Sequence, residues 1–93
     1  MFANISIHKP RPGKEPLLID SMHRYGEAAK RQKGLVTVHT LKDEKSGDLV
    51  GVAIWDSEES YLLARPALME ATEGDDFDEW EEEPMRGYRL KPV

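Results

Sequence analysis

The segment Gly34–Asp56 constrains the fold of this chain more than any other, because it predicts two strands joined by a tight turn. Its sequence, GLVTVHTLKDEKSGDLVGVAIWD, has two runs rich in β-branched residues around the polar stretch EKSGD. That pattern is typical of a β-hairpin. If Asp43 faces Leu49 across the turn, His39 faces Ala53. The other elements must then assemble around an antiparallel pair.

Strands and helices alternate on either side of this hairpin. Phe2–His8 alternates with a period of two residues, which predicts a strand. Apolar residues at helical spacing predict a helix from Pro16 to a stop at Gly34, and the Trp-Asp-Ser corner begins a second helix that Pro66 interrupts. The stretch MRGYRLKPV predicts a closing strand. This βαββαβ order indicates a ferredoxin-like α+β fold with an antiparallel sheet in the order 4-1-3-2 and both helices on one face.

Length and composition limit the class of protein. The 93 residues, of which 39% are hydrophobic, predict one domain over residues 1–93. No apolar run approaches the roughly 20 residues that span a bilayer, and no basic stretch precedes an apolar one at the N-terminus, so we expect a cytoplasmic protein with no membrane partner. With no cysteine and no pair of histidines at ligand spacing, neither a disulfide nor a metal cofactor is expected.

Charge is distributed unevenly along the chain. The segment Glu73–Glu83, EGDDFDEWEEE, carries eight of the 18 acidic residues and no basic one. The 13 basic residues are not concentrated on one element, so nucleic acid is not an expected partner. A run of like charges before the last strand is typical of a solvated segment. Phe77 and Trp80 are expected to anchor it to the domain or to a partner chain.

Both faces of the predicted sheet need cover. One face is aliphatic and comprises Ala3, Ile5, Ile7, Val36, Val38, Val50, Val52 and Ile54. Leaving the valines and isoleucines of that face in water would forfeit about 1.5 to 3 kcal/mol each. We therefore expect a second copy of the chain to cover it in a two-fold homodimer. The alternative is a monomer whose helices cover the aliphatic face and whose mixed face is solvated.

The order of these motifs resembles the antibiotic biosynthesis monooxygenase family, whose members are dimeric α+β barrels. The resemblance covers roughly residues 1–72 and rests on RPGKE (Arg11–Glu15), KGLVTVHTLKD, AIWDSEES (Ala53–Ser60) and RPALMEA (Arg65–Ala71). It implies the dimeric barrel fold and an oxygenase type of chemistry.

Activity varies within that family, so each functional position must be compared with this chain. Some members oxygenate polycyclic aromatic phenols or quinols without metal or flavin, and others degrade haem with an Asn, Trp and His set. The family's first-strand Asn falls on Ser6, with Asn4 two residues away on the same predicted face. The positions of the helical Trp and His hold neither residue type in this chain. The haem-degrading set is therefore absent.

The mixed face of the sheet supplies the candidate site residues. His39 is predicted mid-strand there, among residues small enough to leave a cavity under the helices, where a neutral imidazole could act as catalytic base. Asn4 and Ser6 are candidate contacts for a substrate oxygen, and Tyr25 and Trp55 are candidate walls of the cleft. The alternative is that these polar groups only satisfy one another inside a packed core.

Together these features predict a cofactor-independent monooxygenase-like protein that acts on a small aromatic phenol or quinol. Deprotonating a phenol makes it electron-rich enough to react with oxygen without a cofactor. The alternative is a non-catalytic dimer of the same fold that binds a small ligand or serves as an assembly unit.

Overall fold

The computed structural model describes residues 1–93 and contains one four-stranded sheet with helices packed on one face. The elements are β1 (Phe2–His8), α1 (Glu15–Lys30), β2 (Leu35–Lys42), β3 (Leu49–Trp55), α2 (Glu58–Ala71), α3 (Phe77–Trp80) and β4 (Arg86–Leu90). The strand order is β2-β3-β1-β4 and every neighbouring pair is antiparallel. The predicted ferredoxin-like α+β fold and its sheet order are confirmed. No helix has the length and apolar character that crossing a bilayer requires.

The second long helix begins where the sequence predicts and continues further than predicted. The Ser57 hydroxyl accepts a hydrogen bond from the Ser60 amide at 3.1 Å, which caps the first turn of α2. The expectation that Pro66 interrupts this helix is wrong, because α2 continues through it. Pro66 removes only the bond to the carbonyl of Leu62, and Leu62 lies on the exposed side of the helix.

The predicted register of the hairpin is wrong by one residue. Lys42, rather than Asp43, pairs with Leu49, and His39 pairs with Val52. Asp43 belongs to the turn instead, where its carboxylate accepts hydrogen bonds from the amide and hydroxyl of Ser46 at 3.1 and 2.6 Å. These two bonds hold the pKa of Asp43 below its usual value. Because Asp43 closes the turn with its own side chain, it leaves the strand, and the loop is one residue longer than predicted.

The corrected register changes which β2 residues lie beneath the helices. A one-residue shift moves every side chain of a strand to the other face of the sheet. Val38 now faces α1, since a Cβ at Gly26 would lie 3.8 Å from its methyl groups. Val36 lies at a bulge and is exposed, so neither valine belongs to the aliphatic face as predicted. The remaining six aliphatic residues do share the helix-free face: Ala3, Ile5, Ile7, Val50, Val52 and Ile54.

Two apolar clusters lie between the helices and the sheet. The larger one joins the two long helices to β1 and β3 and comprises Phe2, Ala28, Ala29, Ala53, Trp55, Tyr61, Ala64 and Leu68. The smaller one comprises Leu18, Met22 and Leu49, and Phe77 and Trp80 pack against it. The predicted anchoring of the acidic segment by its two aromatic residues is therefore confirmed within the chain itself.

Candidate functional site

A row of polar side chains runs along β1 beneath the helices. Alternation along the strand places Asn4, Ser6 and His8 on the same face as the buried Phe2. The row lies between the two apolar clusters, so its polar atoms must find partners within it or from neighbouring elements. It contains two of the predicted site residues and one histidine that the sequence did not single out.

The first part of the row joins Asn4, Tyr25 and Trp55. The Trp55 indole N–H donates a hydrogen bond to the Asn4 side-chain oxygen at 3.0 Å, and the Asn4 amide donates to the Tyr25 hydroxyl at 3.5 Å. Trp55 is fully buried, so its indole N–H fixes the orientation of the Asn4 side chain from within the core. Burial raises the pKa of the Tyr25 phenol above its usual value, against the opposing effect of the Asn4 hydrogen bond. Tyr25 is therefore a neutral hydroxyl that can donate a hydrogen bond.

The second part of the row joins Ser6, His8 and Glu81. The His8 ring contacts the Ser6 hydroxyl through Nε2 at 3.1 Å and the Glu81 carboxylate through Nδ1. An ionised carboxylate can only accept, so Nδ1 carries a proton, and in the neutral form of the ring the lone pair of Nε2 accepts the Ser6 O–H. His8 and Glu81 are only 7% and 5% exposed. The arrangement can take a proton from a hydroxyl in the row and stabilise the resulting imidazolium.

Glu81 reaches this position because the acidic segment is held against the residues that directly follow β1. The Glu82 amide donates to the Lys9 carbonyl and the Arg11 amide donates to the Trp80 carbonyl, both at 2.8 Å. Sequence reasoning missed this group, since nothing local joins residues 73 positions apart. The available signal was His8, which shares the period-two face with Asn4 and Ser6.

His39, the predicted catalytic base, lies outside this row. Its cross-strand partner Val52 pairs in turn with Ile5 on the helix-free face of the sheet. The ring is exposed, and its Nε2 is 2.7 Å from the Thr37 hydroxyl. The predicted position of His39 under the helices is therefore wrong, and the cause is the one-residue error in the hairpin register.

The row reaches solvent on the β4 side rather than above Trp55. Tyr61 packs on Trp55 with ring centroids 5.9 Å apart, and side chains of both long helices fill the space over Ala53. By contrast, Asn4 and Ser6 are partly exposed although β1 is an inner strand, and every residue of β4 beside them is exposed. A surface groove of about 340 Å³ at the start of α2 and another of about 220 Å³ along β2 lie away from the row. A ligand would meet the row beside β4.

The four-stranded sheet with helices on one face has the fold of the antibiotic biosynthesis monooxygenases. Rv0793 from Mycobacterium tuberculosis matches with a TM-score of 0.84 at 18% identity, over 99% of this chain and 94% of that one. A structure named antibiotic biosynthesis monooxygenase matches at 0.80 and 10% identity, over 100% and 99%. SnoaB, a cofactor-independent oxygenase from Streptomyces nogalater, matches at 0.77 and 13% identity, over 99% and 92%.

These matches confirm the family resemblance at the level of the fold. No protein-family model matches the sequence, and no curated protein matches it closely enough to show a relationship. The roles of individual residues must therefore be argued from the geometry of this chain.

Proposed function

We propose that this chain is a cofactor-independent monooxygenase-like protein that acts on a small aromatic phenol or quinol. The observation that carries the proposal is the polar row Asn4–Ser6–His8, which continues to Tyr25 and Glu81 at the edge of an otherwise apolar core. An apolar site with a few convergent polar groups is the usual form of a small-molecule site. Its occurrence in a fold shared with a named cofactor-independent oxygenase supports this chemistry.

In this proposal His8 replaces His39 as the catalytic base. The ligand hydroxyl binds beside Ser6, and its proton passes through the Ser6 hydroxyl to Nε2 of His8, while Glu81 stabilises the charged ring. The resulting phenolate gives up electrons to O₂. Overall, a phenol with a free ring C–H and one O₂ yield a quinone and one water, so no external reductant is required.

In the same proposal Arg89 stabilises the phenolate. It pairs with Asn4 across β1 and β4, and its guanidinium lies 5.4 Å from the centre of the Tyr61 ring on the helix side. No carboxylate forms a salt bridge with it, although the chain carries a net charge of −5. An unpaired cation beside the open part of the row favours an anionic oxygen there.

The test is oxygen consumption with a panel of phenols and quinols, measured for wild type, His8→Gln and His39→Ala. We expect His8→Gln to lower the rate about 100-fold or more, the usual contribution of a general base, and His39→Ala to leave it unchanged. Retained activity in His8→Gln, or loss in His39→Ala with folding intact, would contradict the assignment of the base.

A non-catalytic role is the second candidate, and the filled space over Ala53 and Trp55 favours it. In that case Asn4 serves only to accept the hydrogen bond of the buried Trp55 indole, and Tyr25 serves only to accept that of the Asn4 amide. Binding of a phenol without oxygen consumption would support a ligand-binding protein. An absence of both would support an assembly unit.

We also propose that two copies pair through the helix-free faces of their sheets. Four strands about 4.8 Å apart and about 3.4 Å per residue give a face on the order of 20 by 24 Å, and its inner strands carry only aliphatic residues. These aliphatic side chains are left partly exposed by the single chain, and burying them is the gain that pairing supplies. A second sheet would cover it symmetrically.

A further inference from the structure

We propose that Ser6, His8 and Glu81 also form a nucleophilic site that hydrolyses small aryl esters. The Ser6 hydroxyl lies 3.1 Å from Nε2 of His8, and Nδ1 of the same ring contacts the Glu81 carboxylate. A hydroxyl, an imidazole and a carboxylate in this order are the three parts of an activated serine. The activity uses water rather than O₂, so it does not depend on the proposed oxygenase function.

Glycines flank Ser6 on both neighbouring strands. Ser6 pairs with Gly51 on β3 and with Gly87 on β4. A Cβ at Gly51 would lie only 2.7 Å from the Ser6 hydroxyl, so the absence of a side chain there lets the hydroxyl take its position. Gly87 leaves no side chain of its own on the β4 side of Ser6, and the half-exposed Met85 borders that side, since its methyl group lies 3.7 Å from where a Cβ at Gly87 would be.

Donors for the developing oxyanion lie in the next cross-strand row. Asn4 and Arg89 pair with each other one row along from Ser6, about 7 Å away along the strand. The Asn4 amide uses one hydrogen for Tyr25 and has a second one. The Arg89 guanidinium lies 5.4 Å from the centre of the Tyr61 ring, which keeps it on the helix side of β4 as the second donor.

The reaction balances with ester and water alone. Ser6 Oγ attacks the ester carbonyl carbon and its proton moves to Nε2 of His8, so the carbonyl oxygen becomes an oxyanion. Collapse of this intermediate breaks the bond to the phenol leaving group, which takes the proton from His8. A water molecule then attacks the acyl-serine through the same relay, and a carboxylic acid leaves while Ser6 is restored.

The first experiment asks whether His8 accepts a proton from position 6. Because the chain has no cysteine, Ser6→Cys introduces a single thiol, and Val36→Cys, at an exposed position of β2, is the control. The rate of iodoacetamide alkylation against pH gives the pKa of each thiol. We expect the value at position 6 to lie at least about one unit below the control, as for a thiol beside a proton acceptor. Equal or reversed values would overturn the proposal.

The second experiment measures covalent chemistry under nitrogen, with para-nitrophenyl acetate as substrate and a fluorophosphonate as label. We expect the label on Ser6, and Ser6→Ala to lower hydrolysis about 100-fold or more. Glu81→Gln should abolish the high-pH plateau of the rate, since an amide that donates to Nδ1 fixes the wrong tautomer, and Glu81→Asp should restore it in part.

His39→Ala removes an exposed imidazole that could itself cleave an activated ester. We expect this variant to leave both the rate of ester hydrolysis and the labelling of Ser6 unchanged. Hydrolysis that persists in Ser6→Ala but falls in His39→Ala would assign the activity to the surface and overturn the proposal. Absence of any label on Ser6 in the folded protein would also overturn it.

Discussion

The burial of the Tyr25 side chain determines the protonation state of the one phenol in contact with the polar row. Its hydroxyl accepts a hydrogen bond from Asn4, while its own O–H remains available for a ligand oxygen. Burial raises its pKa above the usual 10.0. A neutral phenol is the form that can donate to a phenolate, so the position of Tyr25 on α1 and its burial support the same role.

The raised pKa of Tyr25 makes a prediction about stability at alkaline pH. Above a pH of about 10 the unfolded chain loses the Tyr25 proton first, which stabilises the unfolded state. The contribution of Tyr25 is therefore complete below that pH and decreases as the pH rises through the folded-state pKa. We expect the difference in free energy of unfolding between wild type and Tyr25→Phe to shrink from pH 8 to about 11. Tyr88→Phe, at an exposed position of β4, is the control, and a constant difference for Tyr25→Phe would contradict the prediction.

The sequence pattern around each residue predicted some members of the candidate site and missed others. Periodicity predicts that Asn4, Ser6 and Trp55 share one face of the sheet and that Tyr25 lies on the apolar stripe of α1. The predicted face of His39 was wrong because it depends on the number of residues in the β2–β3 turn, and Asp43 closes that turn with its own side chain. Distant partners such as Glu81 leave no local pattern.

At the scale of elements, the acidic segment is more than a solvated run of charge. Asp75 accepts hydrogen bonds from Arg24 at 3.0 and 3.1 Å and from the Ser21 hydroxyl at 2.6 Å, and its side chain is only 10% exposed. These bonds fix α3 against α1, and α3 leads directly into Glu81. One end of the segment therefore anchors the element, and the other end completes the polar row.

Asp75→Asn should loosen this segment while Asp78→Asn should not. The first variant weakens a charge-assisted contact with Arg24, worth about 1 to 2 kcal/mol when partly exposed. The Asp78 side chain forms no salt bridge and is the matched control. Hydrogen exchange of the amides between Phe77 and Glu82 should accelerate only in Asp75→Asn, and equal exchange in both variants would refute the anchoring role.

At the scale of the whole molecule, the two faces of the sheet differ in what covers them. The chain is 17 Å thick along its shortest axis, which fits one layer of helices on one sheet. The order of elements allowed this architecture to be predicted from sequence, because a βαββαβ chain with short connections has few compact arrangements. The same pattern left Ile5, Val52 and their neighbours without cover within the chain.

Sedimentation equilibrium tests the proposed pairing of sheets. We expect wild type to be a dimer at micromolar concentration and Val52→Glu to be a folded monomer, because the substitution would bury a carboxylate between the two faces. Leu63→Glu, on the exposed side of α2, should remain dimeric. A stable wild-type monomer at that concentration would exclude the pairing.

The most direct test of the central claim, that the polar row beneath the helices is the ligand site, is an NMR titration with a quinol under argon. The ring signals of His8 and His39 distinguish the two faces of the sheet, and the two indole N–H signals distinguish the Asn4 end of the row from the α3 side of the core. We predict that the signals of Trp55, His8 and the Asn4 amide shift on binding, while those of Trp80 and His39 stay in place. Shifts confined to His39 and Thr37 would place the ligand on the helix-free face and contradict the claim.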